Sequence, residues 1–405
     1  MNILITSFSF PSPKDNIFDG KFILSEAISY AVNGANVRVV TPHYFGAQKI
    51  QKIYDKITVY RFQYIIPKSC ETLKIPGVPI YDRKSFSSMI QIPFLCLLFC
   101  LNIFKHAIWA DIIHAQWTVT ALLALPAKWF LGKKIVVTAR GSDLRLLPNW
   151  VNKFIHKQID AAIDCFGPLP WNVEYKKRFP TCFIKLPLLV HKDASNLMPE
   201  DMKQFGFDRS DAFNILYVGR FDPIKLSDNK LPLFNLVHAA KILQKKNMKF
   251  RVFFIGDGNA YIKNEIKSII DKYDLYEYVT LLGAKINVLD YIQFCDLGVG
   301  GIAFNGVSEE FTIMGKPQVL VKGVDNEHTP WRHGINCIFI ESDDQIDLVE
   351  KLVWAYEHRD ELKNIGKRAK ADMSQYITDS KSGGRLYLEA FSNLIGDRTK
   401  TGINC

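Results

Sequence analysis

The stretch Phe213-Asn214-Ile215-Leu216-Tyr217-Val218-Gly219-Arg220-Phe221 opens a second series of elements halfway along the chain. Its first six residues, apolar except for Asn214, read as a strand buried on both faces, and the glycine that follows ends it. Downstream come a helical pattern at residues 231–245, an apolar run at 250–255 and the turn Gly256-Asp257-Gly258. Upstream, residues 191–212 are polar and irregular and read as a linker, so the pattern begins afresh as if from a new N-terminus.

The first half carries the same alternation. Residues 2–6 read as a strand, 22–33 as a helix and 36–40 as a second strand after Gly34. The runs 111–114 and 134–138 repeat the strand pattern, each ending at polar residues. In the second half, 279–282, 297–300 and 318–321 are further strands and 343–357 a long helix. Short buried strands alternating with helices define an α/β chain of parallel sheets, whose ligands lie at the carboxyl ends of the strands. A chain of 405 residues exceeds what one core usually holds. Two doubly wound, Rossmann-like domains are expected, at 1–194 and 195–381, with a C-terminal helix in 382–405 packing back on the first.

Composition narrows the partners. With 48% hydrophobic and 23% charged residues the chain is an ordinary globular one. Its formal charge of +10 favours an anionic partner: nucleic acid, acidic lipid or a phosphorylated small molecule. No zinc-finger spacing or basic heptad helix is present, which argues against nucleic acid. The eight cysteines are scattered and reduced thiols are expected. Residues 1–6 lack the basic and apolar regions of a signal peptide, and the apolar run 89–104 is broken by Gln91, Pro93 and Asn102, so no membrane-crossing segment is expected. The expected location is cytoplasmic.

Motifs must choose among the functions that two Rossmann-like domains admit. The string Gly219-Arg220-Phe221-Asp222-Pro223-Ile224-Lys225 resembles the G-R-x-x-x-x-K loop of the retaining family 4 glycosyltransferases of the GT-B fold. Glu310, followed by Met314-Gly315-Lys316-Pro317, is similar to that family's E-A-M-A-x-G-x-P segment. The resemblance extends to the loop from Phe10 to Gly20-Lys21-Phe22, to 111–114, to Thr138-Ala139-Arg140-Gly141-Ser142-Asp143, and to Gly256-Asp257-Gly258. The Arg140-Gly141-Ser142-Asp143 string looks most like enzymes of bacterial cell-surface polysaccharide assembly, teichuronic acid glycosyltransferases among them.

The resemblance implies a nucleotide-sugar donor, UDP- or GDP-linked, bound in a cleft between the domains and attacked by a hydroxyl of a glycan or lipid-linked glycan. Arg220 and Lys225 stand where cations would neutralise the departing diphosphate. Glu310 matches the glutamate that accepts hydrogen bonds from ribose hydroxyls, with Glu309 beside it as the other candidate. Gly20, Gly219 and Gly256 fall in donor-binding turns. The family's first glutamate would fall at Ile302, so sugar recognition passes to Phe304, Asn305, Gly306, Val307 and Ser308. Arg140 stands where many members have a histidine; an arginine stays protonated and binds anions rather than taking a proton. His114 is a further polar candidate near the reacting sugar. The retaining mechanism needs no cofactor and no metal, since the leaving phosphate takes the acceptor proton.

Two rivals remain at this point: a GT-B-type UDP-sugar epimerase, and a non-catalytic donor-binding subunit, which Ile302 and Arg140 motivate. A nicotinamide dehydrogenase is disfavoured, because the first strand leads to Ser7-Phe8-Ser9-Phe10-Pro11 instead of a glycine-rich fingerprint. The apolar stretch 87–109, ending in Lys105, His106 and Trp109, makes an anionic membrane surface a candidate partner, with a buried core helix as the alternative.

Overall fold

A computed structural model of the chain describes residues 1–11, 20–44, 46–67, 70, 71, 73, 86–140, 147–166, 170–179, 181–190, 212–221, 232–285, 287–301, 306–322, 329–341 and 344–396. The chain forms two compact units, Met1–His191 with Thr378–Cys405, and Lys192–Ile377.

In the first unit the order is β1 (Asn2–Thr6), α1 (Lys21–Val32), β2 (Asn36–Pro42), β3 (Ile50–Tyr54), β4 (Ile57–Phe62), α2 (Phe86–Ala107), β5 (Ile112–Gln116), α3 (Thr118–Leu131), β6 (Lys134–Thr138), α4 (Asn149–Gln158), β7 (Ala161–Asp164), α5 (Pro170–Arg178), β8 (Phe183–Lys185) and β9 (Leu188–Val190). An eight-stranded sheet runs β3-β4-β2-β1-β5-β6-β7-β8. The β3–β4 hairpin is antiparallel, and the remaining pairs are parallel. Successive residues of a strand point to opposite faces. Ile3, Ile5, Val37 and Val39 accordingly join the core beneath α1, while Leu4, Val40 and Ile113 join the core beneath α2 and α3. The strand order reverses between β1 and β5, which makes the carboxyl ends of these two strands the crevice of this sheet.

The second unit follows as β10 (Phe213–Val218), α6 (Leu233–Lys245), β11 (Phe250–Ile255), α7 (Ala260–Tyr273), β12 (Val279–Gly283), α8 (Val288–Ile292), β13 (Leu297–Val299), α9 (Val307–Ile313), β14 (Gln318–Val321), β15 (Ile338–Ile340), α10 (Gln345–Glu357) and α11 (Arg359–Met373). Its six-stranded sheet, β12-β11-β10-β13-β14-β15, is parallel throughout. The order reverses between β10 and β13. Gly219 and Arg220 leave the end of β10, so they stand at the switch point where open sheets bind ligands.

Two sequence expectations change. Gln91, Pro93 and Asn102 lie within one continuous helix: Gln91 donates to the Cys70 carbonyl outside it at 3.0 Å and Asn102 to the Leu98 carbonyl one turn back at 2.8 Å, so both amides are satisfied. By length and composition alone Met89–Ala107 could then cross a membrane, but its Leu95, Phe99 and Ile103 are buried in the sheet core. Six described cysteines are free thiols. Cys182 is disulfide-bonded, which departs from the expectation of reduced thiols throughout.

The last described elements are β16 (Ile377–Asp379), paired with β9, and α12 (Ser380–Gly396). α12 lies against α1 in the first unit. Tyr387 and Phe391 bring their rings to within 5.7 Å of the Tyr30 ring, and the Tyr387 hydroxyl donates to the Pro187 carbonyl at 3.0 Å. The helices approach this closely because position 384 is glycine: a Cβ there would overlap the carbonyl oxygen of Ser29. Gly384→Val should therefore force α12 off α1 and cost about 1–3 kcal/mol, lowering the thermal midpoint by roughly 2–10 °C. Gly396→Ala, which meets nothing within 4 Å, should leave it unchanged.

Candidate active site

In the first unit the crevice is built on Arg140, just beyond the end of β6. Its guanidinium forms an ion pair with Glu26 on α1 and donates to the side-chain oxygen of Gln116 through Nε at 3.2 Å and an Nη at 2.8 Å. Gln116 returns a hydrogen bond from Nε2 to Glu26 at 2.6 Å. Burial raises the Glu26 carboxyl above its ordinary range, and Arg140 and Gln116 pull against that rise. The two charges are out of water and each is the other's counter-ion.

His114 lies beneath them with no exposed surface. Its Nε2 is 2.7 Å from the Thr138 hydroxyl and its Nδ1 3.1 Å from the Tyr30 hydroxyl. Burial, helped by the Arg140 charge, pushes its pKa down to about 3, so the ring is neutral. Expected to lie near the reacting sugar, it is instead sealed in the core. It can influence a ligand only through the groups it orients.

Above this network the surface is aromatic. The Phe22 ring stands 4.3 Å from the Arg140 guanidinium carbon and 6.1 Å, edge to face, from Trp117. Trp117 follows β5 with φ 68° and ψ 149°, a conformation that L residues avoid. Backbone strain at the carboxyl end of a central strand is a common mark of a ligand site. Gly20 caps α1 with φ 77°, and a Cβ there would come within 2.8 Å of the Ser9 carbonyl oxygen, so the turn entering the helix needs glycine.

Among the described residues the crevice of the second unit is made largely of backbone. Gly219 donates to the Ile255 carbonyl and Gly256 to the Gly283 carbonyl, each at 3.0 Å. A Cβ on Gly256 would overlap the Gly219 carbonyl oxygen, so the ends of β10 and β11 approach this closely only because position 256 is glycine, while a Cβ on Gly219 would meet the Tyr217 hydroxyl. Arg220 is exposed beside them. Asn259 caps the following helix by accepting from the backbone N–H of Tyr261 at 2.9 Å. Lys225, Ile302, Phe304 and Asn305 lie outside the described residues.

Past β13, Gly306 and Val307 open α9 with Gly306 exposed and Val307 half-buried. Ser308 is buried, and its hydroxyl is engaged with Glu309, so the side chain expected to face a sugar is turned inward. The two neighbouring glutamates part company here. Glu309 is 3% exposed, and its Oε2 has no hydrogen-bond partner among the described residues. Burial lifts its pKa to about 7 against the pull of backbone N–H groups at Glu309 and Gly306. Glu310 is half-buried and keeps access to solvent. The Lys316 ammonium donates to the carbonyls of Gln293 at 2.7 Å and Cys295 at 2.8 Å, which assigns the Gly315-Lys316-Pro317 part of the motif to holding α9 in place. Among the described residues no three His, Cys, Asp or Glu side chains gather as a metal site.

No protein-family model and no curated protein matches the chain. Solved structures do. Sucrose-phosphate synthase from Thermosynechococcus elongatus is similar over 98% of this chain and 99% of its own, at 14% identity and a TM-score of 0.71. Anabaena HepE in complex with UDP-glucose is similar over 97% and 100%, at 15% identity and a TM-score of 0.65. A glycosyltransferase from Rickettsia africae is similar over 98% and 99%, at 16% identity and a TM-score of 0.64. The chain has the fold of these proteins, the GT-B fold of glycosyltransferases.

Two outcomes follow from the buried carboxylates. Glu26→Ala leaves a buried guanidinium without its counter-ion and should cost about 3–5 kcal/mol in denaturant unfolding. The double variant Glu26→Leu/Arg140→Met, which removes both charges, should cost less than Glu26→Ala alone. For Glu309 the folded state retains a proton that the unfolded chain releases above the ordinary carboxyl range. Stability therefore falls as pH rises from about 4.5 to about 7 and stays reduced above that. Glu309→Gln removes the charge and should raise the melting temperature relative to wild type more at about pH 8 than at about pH 5, with a gain at the upper pH on the order of 3 kcal/mol.

Proposed function

We propose that this chain is a retaining glycosyltransferase of family 4 that moves a sugar from a UDP- or GDP-linked donor to a hydroxyl of a glycan or lipid-linked glycan. The observation that carries the reading is the Gly219-Arg220 turn at the switch point of the second sheet in a GT-B fold. HepE, which has this fold, has been solved with UDP-glucose and with UDP and glucose; a donor of the same kind suits a crevice lined by close-packed backbone, the exposed cation of Arg220 and the half-buried carboxylate of Glu310.

The second unit takes the donor in this reading. Negative charge grows on the diphosphate as the glycosidic bond breaks, and Arg220 with Lys225 neutralises it in the transition state more than in the ground state. These cations do the work that a divalent ion does in other transferases, so no metal is required. Glu310 accepts hydrogen bonds from the ribose hydroxyls. The leaving phosphate takes the acceptor proton on the face it departs from, so the sugar keeps its anomeric configuration.

The first unit takes the acceptor. Phe22 and Trp117 offer apolar ring surface against which a pyranose can lie, and Arg140, locked by Glu26 and Gln116, supplies a fixed cation for a phosphate of the acceptor or donor. The enzyme works in the cytoplasm, at the inner face of the cell membrane, in assembly of a cell-surface polysaccharide.

Kinetics test the reading. In a screen of nucleotide-sugars with polyprenyl-linked glycan acceptors, Arg220→Ala and Lys225→Ala should each lower kcat by about two orders of magnitude with the fold intact. Glu310→Gln should act chiefly on the donor KM, because ribose contacts are equal in ground and transition states. Near-normal turnover in the two cation variants would remove the leaving-group assignment. Donor consumption without any acceptor would favour an epimerase, and donor binding without turnover a non-catalytic subunit.

A further inference from the structure

Helix α2 is apolar on both its inner and its outer side. Its inner side, Leu95, Phe99 and Ile103, is at most 2% exposed in the sheet core. Its outer side repeats the three-to-four-residue spacing of one helical face: Ile90, Phe94, Leu97 and Leu101 are 51–59% exposed, Lys105 follows on the same line, and Ile108 just beyond the helix is 65% exposed. An ordinary surface helix turns polar residues outward.

The neighbouring helices extend the face. α3 packs between α2 and α4 and ends in Trp129 and Phe130, which are 55% and 76% exposed. Phe130 meets Phe104 of α2 with ring centroids 6.5 Å apart, and Trp129 donates to Gln158 of α4 at 3.2 Å. α4 adds Trp150, 74% exposed. The three helices contain no aspartate or glutamate at all. Their lysines are Lys105, Lys153 and Lys157, all exposed, and Lys128. Asp160, at the end of this layer, is held between Lys128 at 2.7 Å and Lys134 at 3.1 Å, so it leaves no net negative charge there. Asp111, exposed beyond the end of α2, accepts from the backbone N–H of Asn2 at 2.7 Å.

We propose that the outer face of α2, α3 and α4 docks on the surface of an anionic lipid bilayer, with the α2 stripe entering the headgroup boundary and the lysines meeting lipid phosphates. Apolar side chains, ring-bearing Trp and Phe, and lysines without carboxylates are the composition of a surface that lies in a membrane interface. A second copy of the chain suits the face less well. A symmetric dimer would bring Lys105, Lys153 and Lys157 of both copies together with no acid on the three helices to pair them. Nucleic acid would leave the apolar stripe in water. The helix lies on the membrane without crossing it, because its inner side is committed to the protein core. This inference extends the membrane setting proposed above and does not depend on the transfer chemistry.

Flotation of the full chain with vesicles tests it. Vesicles of phosphatidylcholine with phosphatidylglycerol should carry the protein at roughly 0.1 M salt, with partition falling about tenfold at roughly 0.5 M, and vesicles of phosphatidylcholine alone should carry little. Leu97→Asp/Leu101→Asp, on exposed positions that leave the core intact, should reduce partition more than tenfold, and Lys105→Glu/Lys153→Glu should remove most of its salt dependence. Circular dichroism and melting of both variants should match wild type. Absence of flotation with the anionic vesicles at low salt would overturn the proposal, as would flotation unaffected by the aspartate pair. A wild-type dimer that the aspartate pair dissolves, with neither protein floating, would overturn it in favour of a second copy. UDP-glucose binding by calorimetry in the same samples reports separately on the transferase reading: its loss with flotation retained would count against that reading alone.

Discussion

A guanidinium taken out of water must keep a counter-charge, and in this chain Arg140 organises the first unit around that requirement. Glu26 supplies the charge, which forces α1 to turn a carboxylate inward on the face it packs against the sheet. Gln116 then bridges both partners from β5, donating to one and accepting from the other. His114 is held neutral below them and passes the constraint to Tyr30, whose ring contacts Tyr387 and Phe391 of α12. α1, β5, β6 and the returning C-terminal helix thus share one connected cluster. The aromatic pair Phe22 and Trp117 sits above it on a base that has little freedom to move.

The second unit solves a similar problem in another way. Its crevice holds no buried ion pair among the described residues. Gly256 lets the ends of β10 and β11 touch, so the backbone itself comes forward. Glu309, buried at the start of α9, meets its desolvation by retaining a proton near neutral pH and by accepting from backbone N–H groups. Its neighbour Glu310 is half-buried and keeps contact with solvent. The motif around it divides by role: Glu310 faces outward, while Lys316 is consumed in tying α9 to the carbonyls that precede β13.

Much of this architecture could be read directly from the residues. Strands of a parallel sheet are covered on both faces, so β1, β5, β6, β10 and β11 appear as short continuous apolar runs. The polar or glycine residues that end them mark the ligand edge. Gly219, Arg220 and Gly256 stand out in the sequence because they directly follow the apolar runs 213–218 and 250–255, and the restart of the pattern at Phe213 stands out in the same way. The apolar character of α2 was legible too. That both its sides are apolar, and that only one is covered, needed the packing of α3 and the sheet.

What the sequence could not decide were the pairings and the rotations. Arg140 and Glu26 are 114 positions apart, and nothing local distinguishes that glutamate from a solvated one on a helix face. Glu309 and Glu310 are adjacent and chemically equal, and a turn of about 100° around the helix axis separates a buried, protonatable acid from an accessible one. His114 closes the apolar run 111–114 in the manner of a site residue, yet it is the middle residue of β5, which is buried throughout, and Tyr30 and Phe391 pack against its ring. Local sequence determined where strands begin and end, because that depends on neighbours in the chain. Which side chain loses its water, and which charge must then accompany it, depends on neighbours in space, and only the tertiary structure decided it.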